Sequence, residues 1–377
     1  MISTNDFLFA LKKAKIKFVT GVPDSLLKDF SACIQKNFKK NHIISTNEGS
    51  AIGLAIGHFL ATKKPALVYM QNSGLGNAIN PITSLASSDV YGIPMILLIG
   101  WRGEITSNNR QIHDEPQHTK QGKITLAQLK LLNIPYKLIN KNTKNIRSLI
   151  NNLKKISLKK KKPVAIVVRK NTFSKFNNFT KNAIKYNFYR EDAIREIVKE
   201  VKEKNFIIST TGMASRELYE ARKFFKQNIY KDFLTVGGMG HANQIAAGIA
   251  LMKPNKKIIC IDGDGALLMH MGSMAISSQC KNLLHIIINN KSHDSVGGQP
   301  TKGETIDFTK ISKACGYKYN KIVKKKKDIR KEIRKALKKK NNSLIVIDCE
   351  KGYRKNLGRP KENLQIRKSM FIKYLSK

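Results

Sequence analysis

The sequence predicts an α/β protein of two doubly wound parallel-sheet domains, and three observations carry that reading. Short, uninterrupted runs rich in Val, Ile and Leu recur along the chain: KFVT at 17–20, PALVYM at 65–70, PMILLIG at 94–100 and PVAIVVR at 163–169, then NFIIST at 205–210, KKIICID at 256–262, NLLHIII at 282–288 and SLIVIDC at 343–349. Such runs suit strands covered on both faces. Amphipathic stretches separate them, at 24–37, 48–62, 76–90, 124–133, 144–156, 191–203 and 327–340. Strands alternating with helices argue for βαβ units and a parallel sheet. A polar, aperiodic segment at 170–187 divides the two series, and 377 residues leave each half enough chain to bury a core. The boundaries read as a first domain over 1–172, a linker over 173–187 and a second domain over 188–377. The halves share no obvious sequence repeat.

From the start of the chain, MISTNDFLFALKKAKIKF reads as an amphipathic helix running into a strand, with no basic leader or small-residue cleavage site. No apolar run reaches the ~18–20 residues of a membrane helix. A cytoplasmic protein without a membrane partner is expected. Five scattered cysteines with no CxxC pair argue against a disulfide framework and against a zinc site. The formal charge of +44 admits two readings. One is a nucleic-acid-binding protein on an inactive scaffold. The other is composition: Lys, Asn and Ile are abundant together, the charges are spread over helix faces, and no nucleic-acid-binding signature accompanies them. The second reading is adopted, with no nucleic-acid partner expected. A basic surface still draws anionic substrates.

Two motifs bear chemistry. In IDGDGALLMH (261–270) a buried strand delivers Gly263, Asp264 and Gly265 to a turn, and IIINN (286–290) closes a second strand on Asn289 and Asn290. The crossover between them is long enough for a βαβ unit, which brings both strand ends to one sheet edge. Asp264 offers a carboxylate and Asn290 an amide oxygen, hard ligands suited to Mg²⁺ on a diphosphate. A plain glycine-rich βαβ turn is the alternative, but it leaves the two terminal asparagines, poor strand formers, without a reason. In STNEGSAIGLAIGHFLAT (45–62), Glu48 opens a helix of small apolar residues. It either complements the helix dipole or hydrogen-bonds a ring nitrogen of an aminopyrimidine packed against Gly49, Ser50, Ala51 and Gly53.

These motifs resemble those of the thiamine diphosphate-dependent decarboxylases. NEGSAIGLAIGH is similar to their pyrimidine-binding domain and GDG…NN to their diphosphate-binding domain. TVGGMGHANQIAAGIAL (235–251) is similar to the segment that holds the cofactor bent. A longer series resembles the phosphonopyruvate decarboxylase family in particular, with the sulfopyruvate decarboxylases as near relatives: GVPDSLLKDF (21–30), WRGE (101–104), HDEPQHTKQGKIT (113–125), STTGMASRELYE (209–220), HDSVGGQPT (293–301) and LGRP (357–360). The resemblance spans nearly the whole chain and implies the thiamine diphosphate-binding fold without a middle domain. It implies non-oxidative decarboxylation of 3-phosphonopyruvate to phosphonoacetaldehyde and CO₂, with sulfopyruvate as the alternative substrate.

The resemblance also implies roles. Glu48 bonds the pyrimidine N1′. The Gly237 carbonyl accepts the 4′-amino hydrogen, and Met239 wedges the two rings into a V so that the 4′-imino group and thiazolium C2 meet; its plainer reading is a core methionine. Asp264, Asn290 and the Ser292 carbonyl hold Mg²⁺, and Gly212, Gly263 and Gly265 line the cofactor. Proton transfer near neutrality points first to histidine. The candidates are His113, His118 and His293, together with Asp24, which equally reads as an N-terminal helix residue after Pro23. His42, His58, His270 and His285 read as structural. Arg102, Arg110, Lys120 and Arg359 are the candidate ligands of the substrate's anionic group. The family's facing domains come from different subunits, so self-association into at least a homodimer is expected.

Overall fold

In a computed structural model, residues 1–106, 108–176 and 185–377 are described; Ser107 and residues 177–184 of the expected linker lie outside them. The chain forms two compact units, Met1–Lys181 and Asn182–Lys377. The first holds a six-stranded sheet of β1 (Val19–Gly21), β2 (His42–Ile44), β3 (Ala66–Gln71), β4 (Met95–Gly100), β5 (Tyr136–Ile139) and β6 (Pro163–Val168), in spatial order β2-β1-β3-β4-β6-β5. Every pairing is parallel. The second holds β7 (Phe206–Ser209), β8 (Asp232–Leu234), β9 (Ile258–Gly263) and β10 (Leu283–Asn289). A two-residue hairpin, β11 (Ser292–His293) with β12 (Gln299–Pro300), leads to β13 (Tyr319–Val323) and β14 (Ser343–Asp348). Its six-stranded sheet runs β13-β14-β10-β9-β7-β8, again all parallel. Numbered within its own unit and read from the other end, this order is the same as the first. Two halves without a visible sequence repeat thus share one topology.

The core follows the apolar runs. All residues of β4, β6, β10 and β14 are buried. Each Val, Ile or Leu side chain so buried contributes about 1.5–3 kcal/mol relative to exposure. The four ladder strands that the patterns miss, β2, β5, β8 and β13, are the four sheet edges. An edge strand is covered less and need not be apolar: Tyr136–Ile139 leaves Lys137 and Leu138 exposed, and Tyr319–Val323 leaves Lys321 and Ile322 exposed.

Three helices differ from expectation. The helix expected from residue 24 begins at Lys28. Asp24 Oδ2 instead accepts the Leu26 amide at 3.0 Å, a local turn that competes with helix. The helix expected at 124–133 runs from Pro116 to Leu131, with proline in the first turn where its missing N–H costs nothing. The stretch at 76–90 forms Leu75–Pro81, followed by a π-turn at Ile82–Ala86.

In both units the chain leaves the first strand for one side of the sheet and crosses back for the third. β1 and β3, and likewise β7 and β9, flank such a reversal, and ligands of open α/β sheets bind outside the carboxyl ends there.

Candidate active site

In the first unit the carboxyl edge carries Asp24 after β1, Glu48 after β2, Gly74 and Asn77 after β3, and the Trp101–Asp114 loop after β4. Glu48 is the first residue of the helix Glu48–Thr62, which Asn47 caps by accepting the Ser50 amide at 2.8 Å. Its carboxylate is buried, and Oε2 accepts from Asn77 Nδ2 at 2.8 Å. The other oxygen lies on Gly74, where a Cβ would come within 2.5 Å of Oε1. A helix-dipole role needs neither burial nor a side-chain donor. Asn77, in the short helix after β3, has no sequence signature that singles it out.

Asp24 is fully buried against Gly100 at the end of β4, where a Cβ would collide with its carboxylate. Burial pushes its carboxyl up to about 6, against the pull of the Arg102 guanidinium. Oδ1 has no hydrogen-bond partner. Arg102 itself is committed. Nη1 donates to Ser25 Oγ at 2.7 Å, Nε to Asp114 Oδ2 at 2.8 Å, and Nη2 to Asp114 Oδ1. Asp114 also accepts the amides of Gly103 and Glu115, so it staples the loop, and these donors hold its carboxyl below the usual range against the effect of burial. Ser25, Arg102, His113, Asp114 and Lys170 line a pocket of about 240 Å³ beside this cluster.

His113 is thus on the pocket and exposed. His118 is buried in the helix behind it, with Nδ1 unpartnered and its imidazole held down to about 4 by burial, hence neutral at pH 7. Arg110 and Lys120 are exposed and do not line the pocket. Lys170 does, and no motif marks it.

In the second unit, Asp264 opens the helix that follows β9, and Asn289 closes β10 with Asn290 just beyond it. Asp264 is buried and accepts from Thr301 Oγ1, a neutral donor, so desolvation lifts its carboxyl to about 7. Asn289 Nδ2 donates to Asp348 Oδ1 at 2.8 Å and to the Gly303 carbonyl at 3.0 Å, while its Oδ1 has no partner; neither does Ser292 Oγ. A Cβ on Gly303 would strike both Asn289 Oδ1 and Asp264 Oδ2. Asn290 Nδ2 donates to Asp294 Oδ2 at 2.6 Å, leaving Oδ1 to accept the Ser292 amide at 3.3 Å. A buried carboxylate without a cationic partner, among unpartnered oxygens and with no sulfur or imidazole in the set, suits a hard dication such as Mg²⁺. The residues present fit that ion.

The remaining candidates distribute around the same edge. Gly212, φ +90°, precedes the helix Met213–Phe224, whose free amides suit an anion. Gly237 and the half-buried Met239 lie in the loop between β8 and the helix Ala242–Met252; Met239 is outside the packed clusters, which removes its core reading. His293 packs on Gly265, and burial holds its imidazole down to about 4. Arg359 is exposed in the loop after β14. His42 hydrogen-bonds Tyr69, His58 stacks on Phe18, His270 stacks on His241, and His285 is fully buried beside Asp262. Among the described residues no helix is long and apolar enough to cross a membrane.

Residues 4–129 match the thiamine pyrophosphate enzyme N-terminal TPP binding domain, and residues 210–349 match the thiamine pyrophosphate enzyme C-terminal TPP binding domain. Phosphonopyruvate decarboxylase of Streptomyces viridochromogenes is 28% identical over 96% of this chain and 92% of its own. The phosphonopyruvate decarboxylase of Streptomyces hygroscopicus is 29% identical over 96% and 91%. Sulfopyruvate decarboxylase subunit alpha of Methanococcus maripaludis is 34% identical over 42% of this chain and 89% of the subunit.

Proposed function

The chain belongs to the thiamine pyrophosphate enzyme family and carries both of its TPP-binding domains, and from that premise we propose that it decarboxylates 3-phosphonopyruvate to phosphonoacetaldehyde and CO₂. The observation that carries the substrate is similarity over 96% of this chain to two phosphonopyruvate decarboxylases, covering 92% and 91% of their lengths.

Bound thiamine diphosphate supplies the nucleophilic carbon and the electron sink for losing CO₂ from a 2-oxo acid. Around it each residue has a defined task. Asp264 and Asn290, with the Ser292 carbonyl, would hold Mg²⁺, and Gly212, Gly263 and Gly265 would let the backbone approach the cofactor. Met239 and the Gly237 carbonyl would hold its rings. Glu48, fixed by Asn77, holds the proton at the pyrimidine N1′. Asp24, with its carboxyl near 6, can hold or release a proton at neutral pH. His113 lines the pocket beside it; the buried His118 and the half-buried His293, both held neutral, orient rather than donate charge. Arg102 orders the pocket wall through Asp114, with Lys170 the second cation on that wall. Arg110, Lys120 and Arg359 remain as outer cations that attract the anionic substrate.

The sulfopyruvate relative favours a second reading with the same chemistry and a sulfonate in place of the phosphonate. Side-by-side turnover of the two acids, with cofactor and Mg²⁺ present, decides between them. Faster loss of CO₂ from sulfopyruvate would reverse the assignment. That relative is itself one of two kinds of subunit. It supports self-association here, with the first unit of one copy serving the second unit of another. An active monomer in sedimentation would contradict it.

A further inference from the structure

We propose that Arg190, acting through Asp294, is a positioning residue that turns the Asn290 amide so that its oxygen faces the cation; the inference rests on the Mg²⁺ reading above. Arg190 is the first residue of the helix Arg190–Val201, far from any motif in the sequence. Its guanidinium is nearly inaccessible and spans two carboxylates. Nε and Nη2 donate to the two oxygens of Glu217 at 2.7 and 3.0 Å, and Nη1 donates to Asp294 Oδ2 at 2.9 Å. Glu217, from the helix Met213–Phe224, is fully buried. One guanidinium thus ties Glu217 to Asp294, the residue that also meets the Asn290 amide.

The geometry at Asp294 decides the orientation of its neighbour. Its Oδ2 accepts three hydrogen bonds, from Arg190, from the Gly352 amide at 3.0 Å and from Asn290 Nδ2 at 2.6 Å. An ionised carboxylate only accepts, so the NH₂ of Asn290 must face it. The Asn290 oxygen is thereby forced to the opposite side. Without a fixed acceptor the amide could rotate and present NH₂ to a dication, which repels it. Four segments meet at this one oxygen: the starts of two loops, a helix N-terminus and the 3₁₀ turn Asp294–Val296. Partners of this second kind commonly set metal affinity by ~10–100-fold.

The test is Mg²⁺ titration of the full protein at saturating thiamine diphosphate, read by calorimetry rather than by turnover. Asp294→Asn is expected to weaken Mg²⁺ binding by ~10–100-fold. Arg190→Lys keeps the charge but not the fork, and is expected to weaken it by ~10-fold. The exchange Asn290→Asp with Asp294→Asn reverses donor and acceptor while keeping an oxygen toward the cation. It is expected to recover most of the loss, and it carries the test if the single variant does not fold. A folded Asp294→Asn or Arg190→Lys with parental Mg²⁺ affinity overturns the proposal, as does an exchange variant no better than the single one. Failure of the parent itself to bind cofactor and Mg²⁺ would instead sink the functional reading on which this rests.

Discussion

Asn77 Nδ2 donates to Glu48 Oε2 across 2.8 Å, and this bond joins the residue that opens one helix to a residue in the next. Gly74 confines the same carboxylate from the other side. Glu48→Gln is expected to lower decarboxylation by ~10²–10⁴-fold, the usual worth of a positioned proton-transfer group. Asn77→Ala removes a hydrogen bond to a charged group, worth about 1.5–3 kcal/mol, and is expected to cost ~10–100-fold. Steady-state rates at saturating cofactor measure both. An Asn77→Ala enzyme at parental rate would show that the bond does not position Glu48.

Gly303 separates Asp264 from Asn289, and any Cβ there strikes both. Gly303→Ala is expected to weaken Mg²⁺-dependent cofactor binding at least ~10-fold and to cost about 1–3 kcal/mol of stability from overpacking. Cofactor titration and denaturant melts measure the two effects. Unaltered affinity would place the cation elsewhere.

Asp24 gives a pH signature. Its carboxyl titrates near 6 when folded and near 3.8 otherwise, because burial outweighs the attraction of Arg102. Between those values the folded chain keeps a proton that the unfolded chain has lost. Stability from this group is therefore full below about pH 4 and declines as pH rises to about 6, by roughly 3 kcal/mol in all. Asp24→Asn removes the decline. Relative to the parent, the variant should gain about that much stability between pH 4 and 7 in urea melts, with groups common to both cancelling. A constant difference between the two proteins would mean that Asp24 titrates normally.

Asp114 holds the pocket wall and not the cation. Asp114→Asn is expected to lower kcat/KM for phosphonopyruvate by ~10-fold or more, since it breaks a bidentate charge pair worth several hydrogen bonds. Cofactor affinity should stay at the parental value. Equal loss of both would show that the staple supports the whole unit.

Most of the sheet was legible because interior strands must be apolar on both faces, as in Met95–Gly100 and Leu283–Asn289. Edge strands such as Tyr136–Ile139 carry no such obligation and left no pattern. Glu48, Asp264 and Asn290 stand out as candidates in the sequence because glycines and helix starts surround them. Asn77, Asp114 and Arg190 were not legible, since each meets its partner only through folding; Lys170 and Gly303 were not, since the fold alone sets what they line. Arg102 was legible as a cation, but its commitment to Asp114 is a fact of three dimensions only.

The most direct measurement is calorimetric titration of the purified protein with thiamine diphosphate, with and without Mg²⁺. The account predicts saturable binding that depends on Mg²⁺ and is weakened by Asp264→Ala. Folded protein that shows no heat of binding in excess Mg²⁺, or binds equally well with the ion removed, would contradict it.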